Sequence, residues 1–281
     1  MNRHRWLRHH WNLAAGLVIL GLLLGSAGLS FLYVPHDPNR TNIADRFAPP
    51  SDRYLLGTDQ YGRDLLSRMV VGSRTAIRVG VVAVAIGLGI GLLVGGMAAY
   101  SGGWIDEILM RIMDAVAAYP PLLLAILFAS ILGPGDISGM LAIGVATVPV
   151  FARLTRASFL ALVESEFVQA ARAAGAGTAR VICRHLLPNG AAVLLVQATT
   201  TFANALLAEA ALSYLGLGTQ PPHPSWGRML REAQDFLIFS PYPAVFPGLA
   251  IAVTVLGLNL LGDGLRDVLD PKTRSSAARR V

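Results

Sequence analysis

Five uninterrupted apolar stretches, each close to the length of a bilayer crossing, decide most of what this chain can become. They occupy residues 13–34, 79–100, 115–132, 191–212 and 243–262. About 20 apolar residues in helical form cover the ~30 Å hydrocarbon layer. Within that layer every backbone amide and carbonyl needs a partner inside the protein, so such stretches fold as helices. The alternation of a membrane barrel strand is absent. A sixth stretch, 138–152, is shorter and contains Pro149. Its length also suits a re-entrant segment, but an even number of crossings agrees better with the charges that follow. The sequence predicts an all-α membrane protein with six transmembrane helices.

Composition points the same way. Of 281 residues, 54% are hydrophobic and only 14% charged, where a soluble domain carries about 25% charged residues. The net charge of +6 comes from 22 Arg and one lysine, Lys272. Those arginines flank apolar stretches and do not interleave with aromatics, so the basic excess suits a lipid surface better than nucleic acid. The single Cys183 excludes an internal disulfide and a CxxC metal pair. The first apolar stretch is 22 residues long and follows Arg3, Arg5 and Arg8. A cleaved signal has an apolar core of only about 7–15 residues, so this stretch reads as a retained first helix.

Lys and Arg counts set the orientation. With the N-terminus inside, cytoplasmic segments hold 14 Lys and Arg and external ones 9, of which 7 fall in 35–78 beside 5 Asp. The balance favours N-in and C-in. The implied organisation is a cytoplasmic tail 1–12, a first helix 13–34, an external loop 35–78, a membrane core 79–262 containing a cytoplasmic loop 153–190, and a tail 263–281. Pro35, Pro38, Pro49 and Pro50 keep the start of the external loop extended. Further on, Leu65, Leu66, Met69, Val70, Ala76 and Ile77 share one helical face, with Arg63, Arg68, Arg74 and Arg78 mostly elsewhere. That pattern describes an amphipathic helix lying on the membrane, or a solvated loop helix.

The loop 153–190 carries the most information. Residues from Glu166 to Ala174 are good helix formers, and Gly175 is suited to end the helix in the left-handed conformation. Thr178 is a candidate N-cap for a second short helix, closed by Pro188-Asn189-Gly190. Phe167, Val168, Ala170, Ala171 and Ala174 would form a small, Ala-rich surface on the first helix. Such a surface either docks into another protein's groove or packs on the chain's own membrane domain.

Polar residues inside the spans are few. Gln197, Thr201 and Asn204 follow helical spacing in the fifth span, with Ala208 next on the stripe, and Asn259 lies in the sixth. At that depth they face helix partners or an aqueous pathway and not lipid. Glu209, toward the external end of the fifth span, either faces a gate, is solvated, or pairs with Arg228 or Arg231. Asp59, Arg63 and Asp64 either bind solute or fix their loop by local pairs. The external loop 213–242, rich in Pro and containing Trp226, either rests at the lipid interface through the Trp or helps receive an external partner. Asp106, Glu107 and Arg111 read as a solvated, internally paired face, with a contact to another protein as the lesser option. No Walker A loop, HExxH or GxSxG is present, and His4, His9, His10, His185 and His223 form no metal cluster. The sequence predicts no catalytic, cofactor or metal residues.

Several of these segments carry a family resemblance. Gln169-Ala170-Ala171, then Gly175 after three residues, then Leu187-Pro188, is similar to the E-A-A, three residues, G, nine residues, I-x-L-P motif of binding-protein-dependent ABC importer permeases. Gln169 replaces the Glu and His185 the Ile, while Glu166 lies one turn earlier. The stretches LLGTDQYGRDLLSRMVVGSRTAIRVG (55–80), RIMDAVAAYPPLLLAI (111–126), AEAALSYLGLGTQPPHPSWGRML (208–230) and GDGLRDVLDP (262–271) resemble the peptide, oligopeptide and nickel branch, in particular its second permease. The resemblance implies a homologous permease partner, two cytoplasmic ATPases that bind ATP and Mg, and an external solute-binding protein. It implies ATPase coupling through Glu166, Gln169, Ala170, Ala171, Arg172, Gly175, Leu187 and Pro188. Peptide import is the favoured function, with nickel or another small solute as the alternative. An ion-coupled secondary transporter would show internal repeats and midplane carboxylates, which are not evident here. A non-transporting membrane scaffold leaves the polar stripe and docking loop without a use.

Overall fold

A computed structural model of the chain describes residues 11–269. Arg3, Arg5, Arg8, the three N-terminal histidines, Pro271 and Lys272 lie outside the described residues, as does most of each predicted tail. The described chain forms ten α-helices: α1 (Trp11–Leu32), α2 (Leu65–Ser101), α3 (Gly103–Ala117), α4 (Pro121–Leu132), α5 (Asp136–Val163), α6 (Glu166–Ala173), α7 (Thr178–Val181), α8 (Leu187–Leu215), α9 (Trp226–Ala233) and α10 (Tyr242–Leu269). Five helical stretches are long and apolar enough to cross a membrane, and the α3–α4 pair, bent by 83°, makes a sixth if it counts as one broken span. Pro120 and Pro121 explain the break: each lacks an N–H, and a proline disfavours helical geometry in the residue before it.

The α2–α5 crossing is the centre of the molecule, and small residues make it. Gly87, Gly91 and Gly95 recur every fourth residue on α2, facing Thr147, Phe151, Ala152 and Thr155 of α5. Lipid gives helices no hydrophobic reason to associate, so close van der Waals packing across small residues must hold them. A Cβ on Gly91 would come within 2.5 Å of Phe151 Cβ and 2.8 Å of the Ala152 nitrogen. Gly91→Val is therefore expected to destabilise by about 1–3 kcal/mol, read as a lower denaturation midpoint of the purified protein. An unchanged midpoint would mean that the crossing is looser than its geometry. The α1–α10 contact follows the same rule, with Gly16 and Gly264 against the backbones of Leu261 and Leu13.

Two expectations are corrected here, and a third, open between two readings, is decided. The segment 65–78 neither lies on the membrane nor stands in solvent, because it is the first four turns of the continuous 37-residue α2. Asp64 caps that helix, its Oδ2 accepting from the Ser67 N–H at 2.9 Å. Its arginines find protein partners: Arg68 is 1% exposed, and Arg74 donates to the carbonyl of Ser30. The short stretch 138–152 belongs to the first part of the 28-residue α5, which runs through Pro149 and is long and apolar enough to cross a membrane, so it is not a short re-entrant segment. Val148 and Pro149 are buried, so neighbouring helices hold the turn that proline weakens. Trp226 does not anchor its loop at the lipid interface. It is 5% exposed over Gly72, and its indole N–H donates to the Met69 carbonyl at 3.0 Å.

Candidate functional site: the helical elbow and the polar residues of the spans

At one end of the bundle α5 gives way, after Glu164 and Ser165, to α6 and α7. The α6 helix ends where the sequence signals it. Gly175 has φ +82° and donates its N–H to the Arg172 carbonyl (2.9 Å), while the Ala176 N–H reaches the Ala171 carbonyl (3.0 Å). These two bonds form a Schellman closure, which a left-handed residue makes possible. One face anchors the pair: Val168, Val181 and Leu186 are fully buried against Phe159 and Ala99. Arg172 adds its guanidinium over the Tyr100 ring at 4.6 Å.

The opposite face is open. Phe167 is 44% exposed, and Glu166, Gln169, Ala170, Ala174 and Gly175 are exposed with it, while Ala171 is half-buried. The packing reading thus holds for the face that carries Val168, while the opposite face is left exposed. Gln169 turns its amide back to the Glu164 carbonyl (2.9 Å), leaving Glu166 as the exposed acid of α6. Two local expectations change. Thr178 is the first residue of α7 and not its cap, which is Gly177. Pro188 does not end the second helix. A π-helical turn, Ile182–Leu186, takes up the register, Leu187 donates to the Ile182 carbonyl, and the chain continues into α8 with Pro188 in its first turn. Proline is tolerated there because a first-turn N–H needs no helical partner. Leu187 is half-buried and Pro188 exposed.

The polar stripe of the fifth span divides. Gln197 donates to the Thr201 hydroxyl at 3.2 Å, and Thr201 is buried. Asn204 is exposed on α8, as is Asn259 on α10. Glu209 faces neither solvent nor Arg228. It is 5% exposed and accepts from Ser213 at 2.6 Å and Thr219 at 3.4 Å. Arg228 pairs instead with Glu232 (3.0 Å), and Asp106 with Arg156 of α5 in place of Arg111.

At the other end of the bundle lies an ionic cluster. Asp59 and Arg63 pair locally at 2.6 Å, but the cluster extends much further. Arg63 and Arg68 both reach Glu232, at 2.5 and 3.3 Å, and Arg68 also donates to the Pro38 carbonyl at 3.2 Å. Burial alone would raise the Glu232 carboxyl, but Arg68 and Arg63 outweigh it and hold the group below the usual glutamate range. Sequence reading missed Glu232 entirely. It lies 164 residues from Arg68, and no local pattern marks it.

The fold and both ends can be set beside known proteins. Residues 87–275 match the family model described as binding-protein-dependent transport system inner membrane component. This chain belongs to that family. It is a multi-pass inner-membrane permease component of the ABC importer type. A dipeptide transport system permease protein of Alkalihalophilus pseudofirmus is 43% identical, over 92% of this chain and 86% of its own. A di/tripeptide transport system permease protein of Pseudomonas aeruginosa is 42% identical, over 96% and 91%. A glutathione transport system permease protein of Pectobacterium atrosepticum is 41% identical, over 96% and 90%. The permease sits in the branch of these relatives. Among solved structures, an inward-facing form of the MetNI methionine ABC transporter shares the fold, with a TM-score of 0.58 at 20% identity over 72% of this permease and 96% of that chain.

Proposed function

We propose that this permease forms half of the translocation pathway of an ATP-driven peptide importer. The observation that carries the reading is the α6–α7 elbow: rigidly anchored by Val168, Val181 and Leu186, it offers Glu166, Ala170, Ala174 and Gly175 outward. In this reading the elbow end is cytoplasmic, the six spans run N-in and C-in, and two separate ATPase subunits dock on the elbow. They bind ATP and Mg and carry out the hydrolysis, so this chain holds no catalytic group or cofactor. The naming of relatives as dipeptide and di/tripeptide permeases supports peptide as the solute over nickel.

Asn204 and Asn259 support a paired permease. An exposed amide on a membrane-crossing helix avoids lipid by facing a second subunit or a water-filled pathway. The second permease would cover that face, with Gln197 and Thr201 alongside and buried Glu209 supporting the outer end. Work enters when ATP closes the ATPases and the elbow passes the movement on, provided the docked states differ in free energy between outward- and inward-facing forms.

The deciding measurement is ATPase activity of the assembled transporter in lipid, with and without a peptide-loaded external binding protein. Stimulation by the loaded form is the expected result. Uptake that follows a proton or sodium gradient, with no ATPase partner co-purifying, overturns the proposal in favour of a secondary transporter.

A further inference from the structure

Beside the α2 N-terminus, the chain forms a half-open cavity of about 520 Å³ lined by both polar and apolar side chains. Its polar side is formed by His36, Asp52, Arg53 and Asp64, its apolar side by Leu29 of α1 with Leu66 and Val70 of α2. Asp64 is 3% exposed, yet only its Oδ2 is used, by the Ser67 N–H and hydroxyl. Its Oδ1 is buried with no partner, and so is His36 Nδ1, which stands 3.5 Å from Asp64 Oδ2. Two unsatisfied polar atoms at one spot are costly unless something supplies the missing contacts.

The charges and the apolar side together define what fits. Asp52 and Asp64 present two carboxylates to a cation, and an ammonium with several N–H donors satisfies an orphan carboxylate oxygen directly. Arg53, with its side chain 67% exposed and Asp45 at 3.3 Å, stands at the rim as a partner for an anion close to that cation. The apolar side continues along membrane-crossing helices: Leu29 is 51% exposed, and Leu66 and Val70 are half-buried. One turn deeper, Arg74 closes α1 onto α2 through Ser30. A ligand with an ammonium, a neighbouring phosphate and hydrocarbon tails matches all three regions at once. We propose that this cavity holds the head group of a phospholipid bearing a primary ammonium, its acyl chains lying along Leu29, Leu66 and Val70. The site is independent of which solute the transporter carries.

Native mass spectrometry of the delipidated whole transporter tests the assignment, with phosphatidylethanolamine, phosphatidylcholine and phosphatidylglycerol titrated separately. Phosphatidylethanolamine should bind tightest, since choline offers no N–H and phosphatidylglycerol lacks the cation. Asp64→Asn should weaken it about tenfold, the value of one charge-assisted hydrogen bond, and leave phosphatidylglycerol unchanged. Because Asp64 also caps α2, Val70→Trp provides a second variant that fills the cavity and leaves the cap intact. It should also weaken phosphatidylethanolamine, but through the space its acyl chains take, so this loss extends to any lipid that enters the cavity. Equal binding of all three lipids, or indifference to both variants, overturns the proposal. So does displacement of the bound lipid by a dipeptide, which would make a peptide amine the natural ligand. Absence of any lipid adduct would assign the two orphan atoms to water.

Discussion

Gly175→Leu is expected to lower the stimulation of ATPase activity by a loaded binding protein at least about tenfold, while the assembly still folds. Nothing lies within 4 Å of a Cβ built at Gly175, so the substitution meets no clash. Its cost is in the backbone. At φ +82° a residue with a Cβ pays roughly 1–2 kcal/mol, and 1.4 kcal/mol already corresponds to a factor of ten. The chain relieves that strain by opening the Schellman closure, which re-aims α6 relative to α7. The added side chain also projects from the face proposed to dock. Gly175→Asn separates the two contributions, because asparagine tolerates the left-handed region. It should keep most of the stimulation, with Gly175→Ala between. If Leu couples as well as glycine does, the elbow has no part in transmission.

Arg68→Met should destabilise the protein by about 3–5 kcal/mol, the usual cost of removing one partner from a buried ionic group. Arg68 is 1% exposed and links the pre-α2 loop, through Asp59 and the Pro38 carbonyl, to Glu232 on α9. Without it Glu232 keeps Arg63 and Arg228, so the loss is large without being total. The measurement is the denaturant midpoint of the full transporter followed by tryptophan fluorescence, since Trp226 sits beside the cluster in the same buried layer as Leu65 and Met229. A midpoint equal to wild type would show that the cluster is solvated and contributes little. The same cluster sets an acid limit. The Glu232 value in the folded protein is below its unfolded one, so its contribution is complete above the ordinary glutamate value of about 4.3. It is lost as pH falls through the lowered folded value. The midpoint should thus be flat through neutral pH with respect to this group and drop only in stronger acid. In Arg68→Met that drop should begin at higher pH.

Much of the molecule follows from local chemistry and was legible in the sequence. A run of 20 apolar residues has one way to satisfy its backbone in lipid. The crossings were therefore readable as helices wherever the stretch was long, as in α1 and α10. The end of α6 was readable because a helix former run followed by glycine encodes its own stop at Gly175. The spacing from Gln169 to Pro188 identified the permease family for a similar reason: it is a local motif on contiguous chain.

Other features were decided only by tertiary contacts, and each has a physical reason. Polar residues read as surface until a distant partner is known, so Arg68 and Arg63 suggested an interfacial helix when in fact both are buried against Glu232, Arg63 in the loop before α2 and Arg68 in its first turn. Pro149 and Pro188 looked like breaks, but packing against α2 and a π turn before α8 carry the helices through them. Trp226 was ambiguous between lipid and core because its indole suits both; Gly72 leaves room for it and the Met69 carbonyl satisfies it. The sequence determined the helical, membrane-crossing class, the family and the elbow, all written in short-range pattern. The structure alone decided which charges meet, which faces are buried and where the cavity beside Asp64 opens, because those depend on residues that chain distance separates and only packing brings together.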